Sequence, residues 1–227
     1  MKRTFGIDEV GRGALAGPVV VAVVALPKGF KAKDAKLGEL RDSKKLSAKK
    51  REAWAGYLKD RPDFCCALAR VYPRQIEKHN ISRAANMAAE RAFWRLSKNT
   101  YIAGAAGTRA YASKTAVFLD GGLFLGNGGH TPGITAKTVV KGDETIPAIT
   151  VASIVAKVHR DRMMVRLGKK YPAYGFEVHK GYGTYAHRAA IKKHGPSDAH
   201  RLTFLKKSPI IKPQSHGRRT GKASHKR

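Results

Sequence analysis

Four carboxylates stand where packing alone would not place them. Asp8 and Glu9 interrupt the apolar run TFGIDEV, just before Gly11-Arg12-Gly13. Asp120 closes the run VFLD and is followed by two glycines, and Asp143 follows TVVKG. Acids at strand ends beside glycine are common positions for a site at a sheet edge, where loops carry chemistry on a rigid scaffold. Carboxylates brought close repel and raise each other's pKa unless a cation neutralises them. Hard oxygen ligands in a group of three or four favour Mg2+ or Mn2+ over zinc. Two such ions, about 3.5–4 Å apart, activate water and stabilise the leaving oxygen of a phosphodiester. Each acid also has a plainer reading. Asp120-Gly121 is an ordinary turn signal, and Asp143 suits a helix N-terminus. Strict alternation sends Asp8 and Glu9 to opposite faces, so their convergence requires the strand to bend or end before Gly11.

The setting of these acids is strongly basic. The 227 residues hold 45 Lys and Arg against 16 Asp and Glu, a formal net charge of +29. A solubilising or extremophile surface would account for such a surplus, but nucleic acid explains it better, because binding its phosphates releases counterions. After Asp198 no acid occurs, and residues 199–227 hold nine Lys or Arg, leaving +20 on residues 1–198. The end, KPQSHGRRTGKASHKR, lacks apolar periodicity. It reads as a disordered basic tail over 208–227, beyond a folded unit of 1–207. A hydrophobic content of 42% supports a folded core. No apolar run approaches the roughly 20 residues that span a bilayer. Asp8 and Glu9 also stand where a signal peptide needs an apolar centre, so a cytoplasmic location is expected. Cys65 and Cys66 are adjacent, which disfavours both a disulfide framework and zinc.

The elements that must position the acids read as one α/β unit. Strands are predicted at Thr4–Val10, at Pro18–Leu26 (a β-branched run fit for burial on both faces) and at residues 64–72, joined by two hairpin-like connections. Further strands cover Thr115–Leu119 and residues 134–140. Ser47–Leu58 is predicted helical with Ser47 as cap. Asn80–Leu96 carries Ile81, Ala84, Ala85, Ala88, Ala92 and Leu96 on helical spacing. A long helix from about Ile149 to Lys170 carries Val151, Ile154, Val155, Val158 and Val165 on one stripe, and residues 184–194 form a shorter one closed by Gly195-Pro196. Residues 97–114 read as loop or frayed helix. Such an order suits a mixed sheet with helices packed on it.

The stretches GIDEVGRGALAGPVVVAVV, RDSKKLS, VFLDGG, VVKGDETIPAITVASIVAKVHRDRMM, YGFEVHKGYGTYAH and GPSDAHRLTF resemble ribonuclease HII, in order, over residues 6 to 204. The resemblance implies an RNase H-like fold: a mixed five-stranded sheet flanked by helices, with a helical C-terminal part from about residue 171. It implies a metal-dependent endoribonuclease. Such an enzyme cuts RNA in RNA/DNA hybrids and at ribonucleotides embedded in duplex DNA, 5′ of the ribonucleotide at its junction with DNA. The products carry 3′-hydroxyl and 5′-phosphate ends, and the use is ribonucleotide removal in DNA repair and replication. The acidic ligands of two Mg2+ or Mn2+ ions map onto Asp8, Glu9, Asp120 and Asp143, with Asp8 shared by both ions. Gly11, Arg12 and Gly13 match the loop that reads the ribonucleotide through backbone groups, and a 2′-OH that both donates and accepts separates RNA from DNA. Tyr182 matches the tyrosine that stacks at the junction. Ser43, Lys44 and Lys45 match phosphate contacts, and Lys141 and Lys180 are expected to bind substrate with them.

His179 and His187 are expected to line or support the substrate face, and two metals make a histidine base unnecessary. Arg160-Asp161 reads as a structural ion pair. Ala14 replaces the family's usual proline, so the turn is expected to be less rigid, and residues 97–114 exceed the family's length. No glutamine-plus-aromatic sliding-clamp peptide occurs in the tail, and a monomer is expected. Ribonuclease HIII shares the acids but carries an extra N-terminal domain, whereas here the DEVGRG strand begins at residue 4. A non-catalytic nucleic-acid-binding protein would be expected to lose one of the four acids, and none is lost.

Overall fold

The computed structural model describes residues 3–40, 46–99, 116–126 and 135–206. Ser43, Lys44, Lys45, nearly all of the 97–114 segment and the 208–227 tail lie outside them.

A five-stranded sheet organises the chain, in the order β5-β2-β1-β6-β7. β1 (Arg3–Val10) pairs antiparallel with β2 (Val19–Pro27), and β2 pairs antiparallel with β5 (Cys65–Val71). On its other side β1 runs parallel to β6 (Ala116–Asp120), which runs parallel to β7 (Thr135–Val139). The sheet is therefore mixed, as the sequence implied. Only the first hairpin-like connection is short. The second is an excursion that holds a two-stranded ribbon, β3 (Lys33–Asp34) with β4 (Gly38–Glu39), and α1 (Ala48–Lys59). Ser47 caps α1 as expected, its Oγ accepting from the Lys50 amide at 3.2 Å.

β2 is apolar throughout because both its faces are covered. Val19, Val21, Val23 and Ala25 join Phe5, Ile7, Val117 and Leu119 under α3 (Ile81–Asn99), which offers Ala84, Ala85, Ala88, Ala92 and Leu96. Ala22, Val24 and Leu26 face the opposite layer, with Trp54 and Leu58 of α1 and Val151, Ile154 and Val158 of α5 (Pro147–Lys170). Small residues let α3 approach the sheet closely, and Gly6 does the same on the other side. A Cβ on Gly6 would stand 2.1 Å from the Ala148 carbonyl carbon, so only glycine lets α5 cross β1 there.

Sequence reading did not find α2 (Pro73–His79) or the single turn α4 (Gly142–Thr145), and it started α5 two residues late. After α5 come a 3-10 turn (Pro172–Tyr174), α6 (Phe176–His179), α7 (Tyr185–His194) and α8 (Leu202–Lys206). They form the expected helical C-terminal part. Phe176, Tyr174, Ile191 and Leu205 pack there with Met164, Leu15 and Ala16, tying the end of the chain to the β1–β2 connection.

Candidate active site

Topology brings the acids to one edge. β1, β6 and β7 are parallel neighbours, and Ile7 pairs with Leu119, so Asp8 and Asp120 leave their strands at the same level. The connection after β7 then brings Gly142 to Asp120, whose Oδ1 accepts the Gly142 amide at 2.9 Å. A Cβ on Gly142 would lie 2.4 Å from Ile149 Cδ1, so a side chain there would have to displace the end of that isoleucine. Asp143 follows directly and is buried, at 3% exposure.

Asp8 and Glu9 do not converge by a bend. β1 keeps its register with β2 through Val10, so the two side chains take opposite faces, as alternation requires. Asp8 turns toward the α5 layer, where Ser153 donates to it; its Oδ1 also accepts the Glu9 amide at 2.7 Å. Glu9 turns toward the α3 layer, where Arg12 Nη1 donates to its Oε1 at 3.2 Å. Both nonetheless lie near Asp120, just past the last β1–β6 pair (Ile7 with Leu119), close enough for its charge to act on each. Burial above all, then the charges of Glu9 and Asp120, holds the Asp8 carboxyl well above the usual aspartate range. Burial also raises Glu9; Arg12 opposes this, and Asp120 adds to it.

Glu9 Oε2 is buried and has no hydrogen-bond partner among the described residues. Leaving one oxygen of a carboxylate buried without a partner costs about 1–3 kcal/mol. Among the described residues, no three Asp, Glu, His or Cys side chains are already gathered around one point. The donor set nonetheless fits a hard divalent cation, which would satisfy Glu9 Oε2 and relieve the repulsion on Asp8.

The Gly11-Arg12-Gly13 turn borders these acids. Gly11 has φ +88°, and a Cβ there would sit 2.2 Å from Arg160 Nε, so no other residue fits. Gly13 is different: nothing lies within 4 Å of its would-be Cβ, and it is exposed. Arg12 points back into the protein, holding Glu9, the Gly122 carbonyl and, at 2.9 Å, Ser82 Oγ. Ala14 donates its amide to the Gly11 carbonyl at 3.4 Å, a bond proline could not make.

Tyr182 lies over Arg160 (5.4 Å from Cζ to the ring centroid) and near Lys157 (6.0 Å). Its backbone is fixed by His187, whose Nδ1 lies 2.9 Å from the Tyr182 carbonyl. His187 is fully buried, so it supports this loop and does not line a surface. Burial above all lowers its pKa to about 4, and that of His200, 3.1 Å away, likewise. His179 stacks on His187 at 4.2 Å. Lys180 turns its ammonium to the Glu177 carbonyl, and Lys141 is exposed beside α4. The expected Arg160–Asp161 ion pair is not made. Asp161 pairs with Lys157 at 2.7 Å, one helical turn away, while Arg160 points inward to backbone carbonyls. Sequence reading missed Ser153, Lys157 and Arg201; the first two share a helix face with Arg160, a spacing visible in the sequence.

The sequence profile of ribonuclease HII matches residues 5–207. The chain belongs to the ribonuclease HII family. A ribonuclease HII of Nitratidesulfovibrio vulgaris is 41% identical over 211 residues, covering 88% of this chain and 84% of that one. The fold is that of an Archaeoglobus fulgidus ribonuclease HII solved in complex with PCNA (TM-score 0.66, 23% identity, 93% and 98% coverage). It is also that of Bst-RNase HIII in complex with Mn2+ (TM-score 0.63, 20% identity), of which this chain covers 68%. Membership makes the chain a ribonuclease H, an endonuclease that hydrolyses phosphodiesters. No helix among the described residues is long and apolar enough to cross a membrane.

Proposed function

We propose that this ribonuclease HII cleaves RNA in RNA/DNA hybrids and at ribonucleotides embedded in duplex DNA. It cuts on the 5′ side of the ribonucleotide at the RNA–DNA junction, leaving 3′-hydroxyl and 5′-phosphate ends. Asp8, Glu9, Asp120 and Asp143 would hold two ions of Mg2+ or Mn2+, and the Mn2+ complex of the related ribonuclease HIII supports this. The observation that carries the reading is the mutually repelling set of buried Asp8 with part-buried Glu9 and Asp120 beside the Gly11 turn, with Glu9 Oε2 unpartnered among the described residues. When bound, the ions supply Lewis acidity that activates water and stabilises the leaving oxygen.

The chain's own residues do the rest. Ser153 and the Glu9 amide fix Asp8, Arg12 fixes Glu9, and the Gly142 amide fixes Asp120. Gly13 leaves room for the substrate backbone, and Tyr182 offers its ring for stacking at the junction. Lys141, Lys180 and, outside the described residues, Ser43, Lys44 and Lys45 take the phosphates. The basic tail adds salt-sensitive affinity. We assign the enzyme to ribonucleotide removal during DNA repair and replication, in the cytoplasm and as a monomer. Incision of a duplex carrying one ribonucleotide tests this: Asp120→Asn should abolish cleavage while duplex binding persists. Wild-type cleavage by Asp120→Asn would overturn the site.

A further inference from the structure

Helix α5 carries two stripes. One is the apolar stripe packed under the sheet. The other is Ser153, Lys157, Arg160 and Met164, at helical spacing along a second face. Ser153 reaches Asp8, and Lys157 and Arg160 lie against Tyr182. Arg160 also fills the space beside Gly11, and Met164 fills the space beside Gly17 and Gly181. A single rigid face thus touches the acidic edge, the Gly11 turn and the Tyr182 loop.

Arg160 is the centre of this arrangement, and Arg201 backs it. Both are fully buried. Arg160 donates to the carbonyls of Ala16, Pro18 and Lys180, and Arg201 to those of Arg12 and, twice, Gly17. All six bonds end on backbone oxygens of the two substrate-facing loops, and none on a carboxylate. Two buried cations whose hydrogen bonds reach no carboxylate among the described residues are a poor source of stability, since apolar side chains fill such space at lower cost. What a guanidinium does that an apolar group cannot is hold several carbonyls along fixed directions. The direction matters at Arg12. Its carbonyl is drawn inward by Arg201 at 3.0 Å, and in a trans peptide the next amide then points the opposite way. That amide belongs to exposed Gly13.

We propose that Arg160, backed by Arg201, is a positioning residue that sets selectivity for a ribonucleotide junction by holding the Gly11–Gly13 turn in register with Tyr182. The proposal rests on the reading of that turn and Tyr182 given above. Arg160 touches no reacting atom; it acts through the turn on one side of its guanidinium and the tyrosine ring on the other. Lysine keeps the charge but cannot reach three carbonyls at once.

The experiment compares Arg160→Lys and Arg201→Lys with wild type on a duplex bearing one ribonucleotide and on a uniform RNA/DNA hybrid, where every position offers a 2′-OH. Each variant should lose about 10²-fold in kcat/KM on the single-ribonucleotide duplex, the scale of a misplacement of about 1 Å. On the hybrid each should lose less than about tenfold, and the Mn2+ midpoint in a thermal-shift titration should not move. Adding Tyr182→Ala to Arg160→Lys should cost less than about threefold more, because the two act as one unit. Equal losses on both substrates, or independent losses in the double variant, would show a merely structural role and overturn the proposal. If Tyr182→Ala alone destroys the single-ribonucleotide preference while both lysine variants keep it, the proposal falls and the reading of Tyr182 stands. If Tyr182→Ala alone keeps the preference, that reading fails and takes the proposal with it.

Discussion

Replacing Asp8 by Asn should make the metal-free enzyme more stable while destroying its activity. Asp8 is 5% exposed, and its charge is disfavoured by burial and by Glu9 and Asp120. Asparagine is isosteric and keeps an oxygen to accept the Glu9 amide at 2.7 Å. Removing the charge should therefore gain about 2 kcal/mol, which for a domain of this length is about 4–8 °C in Tm. The gain depends on pH with a definite sign. The folded pKa of Asp8 lies above its ordinary value of 3.8. Its contribution to stability is full below that value and is lost as pH rises through the folded pKa. The asparagine variant has no such loss, so in chelator the two melting curves should coincide near pH 4, separate as pH rises and run a constant distance apart once pH has passed the folded pKa. Mg2+ or Mn2+ should then reverse the order, raising the wild-type Tm and leaving Asp8→Asn almost unmoved. Differential scanning fluorimetry across pH, with and without the ion, reads all of this. A gap independent of pH, or an equal metal-induced rise in both proteins, would refute the reasoning.

The two glycines of the turn should separate folding from recognition. Gly11→Ala forces a left-handed φ and a clash with Arg160, and urea unfolding should show a loss of about 2–4 kcal/mol. Gly13→Ala meets no neighbour, so its stability should stay within about 0.5 kcal/mol of wild type while kcat/KM on a single-ribonucleotide duplex falls about tenfold or more. Unchanged kinetics for Gly13→Ala would mean that substrate does not approach there. His187 and His200 have pKa values near 4, below the ordinary 6.5. The stability they lend is full above pH 6.5 and is lost as pH falls toward 4. Between pH 7 and pH 5, wild type should lose about 2 kcal/mol more than His200→Gln in urea titrations.

Much of the fold was legible because its packing is written as periodicity. The apolar run of β2, burying both faces, could only be a central strand, and the alanines of α3 marked the helix that lies on it. The four acids were legible as anomalies. How Asp8, Glu9 and Asp120 come to face one another was not. That depends on β1 lying parallel to β6, a pairing between distant segments that no local pattern encodes. The same limit applies at Asp8 and Glu9, where the sequence allowed a bend or a strand end; the strand runs on beside β2 through Val10, and it is the β1–β6 pairing that stops, at Ile7. Arg160 was misjudged because a charged residue beside an acid on a helix reads as a surface pair. The buried carbonyls that claim it come from residues 16, 18 and 180. For His187 the sequence left open whether it lines or supports the substrate face; it supports it from within, since an imidazole's burial depends on the helices around it.

The central claim is that the carboxylates at the ends of β1, β6 and β7 hold divalent ions that cut beside a ribonucleotide. The most direct measurement is incision of an end-labelled DNA duplex containing one ribonucleotide, with products mapped to the nucleotide and their ends identified. The account predicts a single cut on the 5′ side, with 3′-hydroxyl and 5′-phosphate ends. The cut should require Mg2+ or Mn2+, be stopped by chelation and be absent in Asp120→Asn. Cleavage that persists in chelator, or a purified metal-loaded protein that leaves the duplex intact, would contradict it.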